Sequence, residues 1–266
     1  MPTLVRTAAK ILHLHVQRLL VPRKSLPEER VMMFHPPRAG STVLAKMLHQ
    51  HPEVRWEREA FLEVSRQLGM RRLPATLETV LLTRMAGVRE PIVGFEVQYY
   101  QIPAHLMIRL PAFVRRVRNL GFRRFIVLSR RNILRSVVSN LVAHERQQWA
   151  FDVGDRVELT RVHVDVERVY DHRNTALLDV LARHEENPRR VRELLPQYLE
   201  LVYEDDVEED PHVGYRRICE YLGLEPVEVT IPIQRATPYP MPEVVENWDE
   251  VCETLAGTRF EWMLEE

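Results

Sequence analysis

The chain has 266 residues, with 37 Lys and Arg against 38 Asp and Glu and a formal net charge of −1. It has no global basic excess, so no nucleic-acid partner is expected, and 45% apolar with 28% charged residues is the composition of a soluble globular protein. Cys219 and Cys252 form no C-x-x-C pair and no run approaches about 18 apolar residues, so reduced thiols, a cytoplasmic location and no membrane span are expected.

Residues 1–27 carry Arg6, Lys10, Arg18, Arg23 and Lys24 and no acid, with Val5, Ala8, Leu12, Val16 and Leu19 on one helical face. Two readings stand: a helix packed on its own domain, or a cationic amphipathic helix giving peripheral membrane contact. Charge interrupts the apolar residues, which argues against a signal peptide. Residues 28–266 are expected to form a single domain.

Val31 to Phe34 is a short apolar run that reads as a buried strand, and Pro36 and Pro37 end it. Gly40-Ser41-Thr42 follows, and Val43, Leu44, Met47 and Leu48 then fall at a helical period. A strand, a tight glycine loop and a helix start form a site for an anion, because free N–H groups and the positive helix end face the loop. Arg38 adds a permanent charge with fork geometry suited to phosphate or sulfate. The nucleotide-triphosphate loop G-x-x-x-x-G-K-[ST] is not met. His35 stands at its first glycine, Ser41 at its lysine, and no later apolar strand ends in a clear Asp for magnesium. The loop is therefore expected to hold an anion without a metal.

Glu57 and Glu59 come next in Trp56–Phe61, as a solvated charged turn or as chemistry beside the loop. Residues 62–90 read as helical and irregular. Ile92 to Val97 is a second strand, with Glu96 directed toward the same edge as the loop, and residues 103–119 read as a helix stopped at Gly121. Phe125 to Leu128 is a continuous apolar strand closed by Ser129-Arg130-Arg131-Asn132. Leu134, Val137, Val138, Leu141 and Val142 form a helical stripe after it. If that helix starts at Asn132, Ser139 lies about 10 Å along its axis, and the Arg131 side chain can reach along to the same anion. Residues 164–186 read as helix, and Leu199 to Tyr203 as a further strand. Six acids between Glu204 and Asp210 are better explained as carboxylates at the start of the next helix than as a metal site. That helix stops at Gly223, five prolines make residues 226–242 an extended crossing segment, and a short helix spans Asn247 to Leu255.

Strands separated by helices predict a three-layer α/β fold, a central parallel sheet flanked by helices, with a P-loop-like nucleotide-binding architecture. Ligands of such sheets bind at the carboxyl ends of the strands. Both arginine-bearing junctions lie at such ends, and two anion positions on one edge suit a nucleotide with phosphates at both ends of its sugar.

Pro37-Arg38-Ala39-Gly40-Ser41-Thr42, then Arg131 and Ser139 eight apart, then Tyr203-Glu204-Asp205 with Pro211 and Tyr221-Leu222-Gly223-Leu224, occur in this order. From about residue 30 to 257 the chain thus resembles the sulfotransferase family, closest to its bacterial and carbohydrate-type branches. The resemblance implies 3′-phosphoadenosine 5′-phosphosulfate (PAPS) as donor and no metal. Arg38, Ala39, Gly40, Ser41, Thr42 and Val43 would surround the 5′-phosphosulfate. Arg131 and Ser139 would take the 3′-phosphate, and Tyr203 and Arg235 would add donor contacts. Glu59 would be the general base, with Glu57 and Glu96 as the alternatives. The late Arg-Lys-Gly segment and the histidine base of the small-molecule branch have no clear match, which favours a carbohydrate or lipid-linked hydroxyl acceptor over a small phenol. An atypical P-loop kinase, or a non-catalytic nucleotide-binding or membrane-peripheral protein on the same fold, are the other classes, and a homodimer is compatible with either.

Overall fold

A computed structural model describes residues 26–68, 76–169 and 173–265. The basic stretch 1–27 therefore lies outside the described residues, apart from its last two positions.

Five parallel strands make the central sheet: β1 (Glu29–His35), β2 (Val54–Glu57), β3 (Ile92–Gln98), β4 (Arg124–Ser129) and, after a short strand β5 (Phe151–Asp152), β6 (Leu199–Val202). Their order is β2-β3-β1-β4-β6, which puts the first strand at the centre. A last strand, β7 (Ile233–Gln234), pairs antiparallel with β5. Helices α1 (Ser41–Leu48), α2 (Ala60–Leu68), α3 (Leu77–Met85), α4 (Gln101–Ala104), α5 (Leu110–Asn119), α6 (Ile133–Arg146) and α7 (Leu177–Leu194) fill the connections. Beyond β6 come α8 (Tyr203–Asp206), α9 (Pro211–Leu222), α10 (Met241–Val244) and α11 (Trp248–Leu255), then a 3-10 turn at Glu261–Leu264.

A strand shows alternate residues to opposite faces. Met32 and Phe34 of β1, Val93, Phe95 and Val97 of β3, and Phe125 and Val127 of β4 point to one side, against α2 to α5 and α7. There the Phe34 ring meets Phe113 edge-on at 5.8 Å and Phe125 at 6.5 Å. Val31 and Met33 of β1, Ile92 of β3, and Ile126 and Leu128 of β4 point to the other side, against α1 and α9. Carrying that alternation to the strand ends puts His35 and Glu96 on the α1 face, and both are fully buried. Cys219 and Cys252 are unbridged. Among the described residues no helix is long and apolar enough to cross a membrane.

Three elements differ from the sequence reading. Residues 164–169 are not helical: after Val164 the chain turns at 165–168, where the Arg168 N–H donates to the Asp165 carbonyl at 3.2 Å, and α7 begins only at Leu177. Val164 and Val166 are buried at a period of two, and the Asn247 side chain bonds both the N–H (2.9 Å) and the carbonyl (2.8 Å) of Val164, as a neighbouring strand would. The helix read over 103–119 is broken, because Met107 takes a positive φ of 56° and Pro111 opens α5 afresh. Strand β2 is not foreseen by the sequence reading, which leaves Glu57 as a solvated charged turn or as chemistry beside the loop. Its signal is one four-residue alternation, Val54 and Trp56 in, Arg55 and Glu57 out. Asp210 caps α9 by accepting from the His212 N–H at 3.0 Å, the role expected for late carboxylates.

Gly94 makes room for Trp56, its register partner on β2. A Cβ there would lie 2.0 Å from Trp56 Cε3. The indole N–H in turn donates to Glu96 Oε1 at 3.1 Å. Gly94→Ala must push the ring away, and urea unfolding should show a loss of about 1–3 kcal/mol.

Candidate active site

β1 ends at His35 and the chain turns sharply through Pro36 and Pro37. Arg38 and Gly40 both take left-handed φ, 59° and 81°. Gly40 is the residue before α1, and no side chain caps the helix there. Among the described residues no side chain hydrogen-bonds the N–H groups of the first turn, which leaves them available to an anion. Only glycine fits at position 40, since a Cβ would lie 2.6 Å from Val207 Cγ1 and 3.1 Å from the Tyr203 ring.

The β4–α6 junction clamps this loop. Arg130 Nη1 donates to the Arg38 carbonyl at 2.6 Å, Ser136 Oγ to the Pro37 carbonyl at 2.7 Å, and Arg38 Nε to Ser139 Oγ at 3.1 Å. Arg38 Nη1 also donates to the Trp149 carbonyl at 2.7 Å, and Thr237 Oγ1 to Ser139 Oγ at 3.2 Å. The Arg130 guanidinium lies 4.2 Å over the Tyr203 ring, a cation–π contact of about 2 kcal/mol when desolvated. Burial, and then the charge of Arg130, push Arg38 down to about 10, and burial lowers Arg130 as well. Arg130 Nε is buried with no hydrogen-bond partner. Two desolvated guanidiniums, one orphaned donor and an uncapped helix start together fit an anionic group such as a phosphosulfate.

The residues expected at the site do not all come together. Gly40, Ser41, Thr42 and Arg38 form the loop and the helix start, while Ala39 and Val43 are buried against the α1-side core. Tyr203 packs beneath Arg130 and against Gly40. Arg131 and Ser139, expected to share one anion, have no partner in common. Arg131 makes a two-pronged pair with Asp205, at 2.7 and 2.6 Å, and the Glu204 carboxylate accepts from the N–H groups of Arg131 and Asn132. The acidic segment fills the start of α6, because a carboxylate matches both the fork and the helix N-terminus. Ser139 turns instead to Arg38. Arg235 is paired with Glu208 at 3.2 Å, two residues before the Thr237 that reaches Ser139.

The three carboxylates separate by environment. Glu57 is held by Arg55 at 2.8 Å and Arg84 at 3.5 Å. Glu96 is 1% exposed. Glu59 is half-buried in the turn before α2 and accepts from the Gln98 side chain at the end of β3. Among the described residues no cation lies within ion-pair distance of it. Next to it, Arg58 reaches Thr42 Oγ1 at 3.4 Å, so the turn abuts the α1 start. The sequence reading passed over Arg130, Gln98 and Trp149. Arg130 was legible, since it continues the α1-side face of Ile126 and Leu128, whereas Arg131 falls on the other. Among the described residues no group of three or more His, Cys, Asp or Glu is disposed to hold a metal ion.

The chain is similar in structure to a sulfotransferase from Alicyclobacillus acidocaldarius, with a TM-score of 0.53 and 17% identity over 90% of this chain and 95% of that one. It thus has a sulfotransferase-like α/β fold. More distant likeness is seen to the NadR protein in complex with NR (TM-score 0.40, 12% identity, 76% and 54% of the chains) and to a structure of the PezAT toxin–antitoxin system of Streptococcus pneumoniae (0.36, 11%, 80% and 97%). No protein-family model and no curated protein sequence matches the chain.

A lowered Arg38 means that its charged form costs the fold stability at every pH below about 10 and that the cost fades only above it. An anion in the loop offsets that cost. Inorganic pyrophosphate should therefore raise the thermal midpoint at pH 7, by about 2.7 kcal/mol of stability at a hundredfold excess over its Kd. The increment should shrink as pH passes about 10 and should be small at every pH in Arg38→Met.

Proposed function

We propose that the protein is a PAPS-dependent sulfotransferase acting on a hydroxyl acceptor. The observation that carries this reading is the convergence of Arg38, Arg130 and the uncapped start of α1, with the carboxylate of Glu59, unpaired with any cation among the described residues, in the neighbouring turn. Bound PAPS would supply the sulfuryl group and leave as the 3′,5′-bisphosphate. Arg38 and the N–H groups of Ser41 and Thr42 would take the charge that builds on the oxygen leaving sulfur. Glu59 would accept the acceptor's hydroxyl proton, oriented for it by Gln98. Arg131 would exchange Asp205 for the 3′-phosphate, since both match its fork. Tyr203, Ser139 and Arg235 would contact the donor.

Trp149 is 43% exposed and its carbonyl is held by Arg38, so an aromatic residue lies in the segment beside the loop, in keeping with a carbohydrate or lipid-linked acceptor. A cytoplasmic location, with residues 1–27 as a contact to anionic lipid, belongs to the same reading. Phosphoryl transfer has less support, because Ser41 stands where a P-loop kinase has lysine and its side chain is turned onto buried Glu96.

By calorimetry, 3′-phosphoadenosine 5′-phosphate should bind far more tightly than AMP. Arg131→Ala should weaken the bisphosphate by roughly 10- to 150-fold and leave AMP nearly unchanged. Equal losses for both nucleotides would remove Arg131 from the 3′-phosphate, and magnesium-dependent ATP turnover without bisphosphate preference would overturn the reading. With an acceptor found by screening against labelled donor, Glu59→Gln should cut turnover by at least about 10²-fold with bisphosphate affinity within a few-fold, and Glu57→Gln should change neither.

A further inference from the structure

Helix α8 is four residues long, and three of its side chains are fixed from different sides. Tyr203 lies under the Arg130 guanidinium at 4.2 Å. Glu204 is half-buried and accepts from the N–H groups of Arg131 at 2.9 Å and Asn132 at 3.0 Å. Asp206 is buried, accepts from the Val202 N–H at 2.7 Å and pairs with Arg217 at 2.6 Å. Asp205 is the exception. Its side chain is 55% exposed, and among the described residues it hydrogen-bonds one partner, the Arg131 fork, itself 53% exposed, at 2.7 and 2.6 Å.

We infer that Asp205 is a built-in competitor for Arg131, a carboxylate that holds the fork until a phosphate takes it over and so lowers the affinity for donor and bisphosphate product alike. The identity of that phosphate rests on the sulfotransferase reading; the competition for the fork does not. A carboxylate and a phosphate offer the guanidinium the same pair of oxygens, and only one of them can have both prongs. A phosphate monoester carries more charge than a carboxylate at neutral pH, so it wins the fork when it is present. An ion pair this exposed is weak, so the exchange is open and the site is attenuated rather than closed. The apparent affinity falls in proportion to the fraction of molecules whose fork is free.

The anchors on either side give Asp205 its effect. With Glu204 and Asp206 tied down, Asp205 cannot withdraw when Arg131 leaves it. It stays beside the bound phosphate as a like charge and is at hand, at high effective concentration, when the phosphate departs. The hydrogen bonds from Arg131 hold the Asp205 carboxyl below the usual carboxylate range, so the competitor is charged throughout the neutral range. Glu204 already fills the N–H groups of Arg131 and Asn132, which makes the Arg131 side chain the exchangeable contact at this junction.

The test is calorimetry on the full chain as wild type, Asp205→Asn, Arg131→Ala and the double variant, with 3′-phosphoadenosine 5′-phosphate and with AMP. Asp205→Asn should tighten the bisphosphate by about two- to fivefold and leave AMP unchanged. The gain should vanish in the Arg131→Ala background, which separates competition for the fork from a general loss of negative charge. Unchanged or weaker bisphosphate binding, an equal gain for AMP, or a gain that survives the loss of Arg131 would overturn the inference. A second measurement needs no nucleotide. In protein labelled with nitrogen-15 in arginine, inorganic phosphate should shift the Arg131 guanidinium signal at lower concentration in Asp205→Asn than in wild type, and equal concentrations would also count against the competition. Should wild type bind the bisphosphate no better than AMP, the sulfotransferase reading alone falls, and the phosphate titration decides whether Asp205 competes.

Discussion

The contact on which the site depends is the clamp between the loop after β1 and the junction after β4. Arg130 and Ser136 bond the carbonyls of Arg38 and Pro37, and Ser139 accepts from Arg38 itself. Strand order makes the clamp inevitable. β1 and β4 are hydrogen-bonded neighbours, and the chain leaves their carboxyl ends toward opposite sides, which opens a crevice there. Two guanidiniums are desolvated to build it. The hydrogen bonds and the Tyr203 face offset part of that cost, and an anion would offset the rest. The loop is therefore shaped before any ligand arrives, at the expense of stability in its absence.

The alternation of the strands divides the labour. One face of the sheet is filled by phenylalanines and aliphatic residues and carries no chemistry. The other face begins as aliphatic core under α1 and α9 and becomes polar only at the carboxyl ends, where His35, Glu96 and Arg130 continue it. The same alternation sorts three glutamates into three roles. Glu57 faces outward from β2 onto arginines, Glu96 faces inward and is sealed, and Glu59 stands past the strand end at the crevice.

Much of this was legible in the residues. β1 and β4 are built on continuous apolar runs, Val31–Phe34 and Phe125–Leu128, the signature of a parallel sheet buried on both sides, and the Pro-Pro-Arg-Ala-Gly-Ser-Thr loop raises the expectation of an anion site by its chemistry alone. What escaped depends on neighbours distant in sequence. Val164 is kept out of the helix because Asn247 satisfies its backbone N–H and carbonyl from more than eighty positions away. The Arg131 side chain, expected to share an anion with Ser139, is paired with Asp205, and local spacing does not reveal that pairing. Arg130 needed only the period of two, read one residue past the end of the strand.

The central claim is that the loop between Arg38 and Thr42 is a preformed anion site serving a doubly phosphorylated nucleotide. A crystal structure of the full chain with 3′-phosphoadenosine 5′-phosphate addresses it most directly. The account expects the 5′-phosphate oxygens within hydrogen-bond reach of the N–H groups at the start of α1 and of Arg38, with the loop backbone unchanged and the Arg131 fork moved from Asp205 to the 3′-phosphate. A nucleotide bound away from that loop, or a loop that has to refold to receive it, would contradict the account.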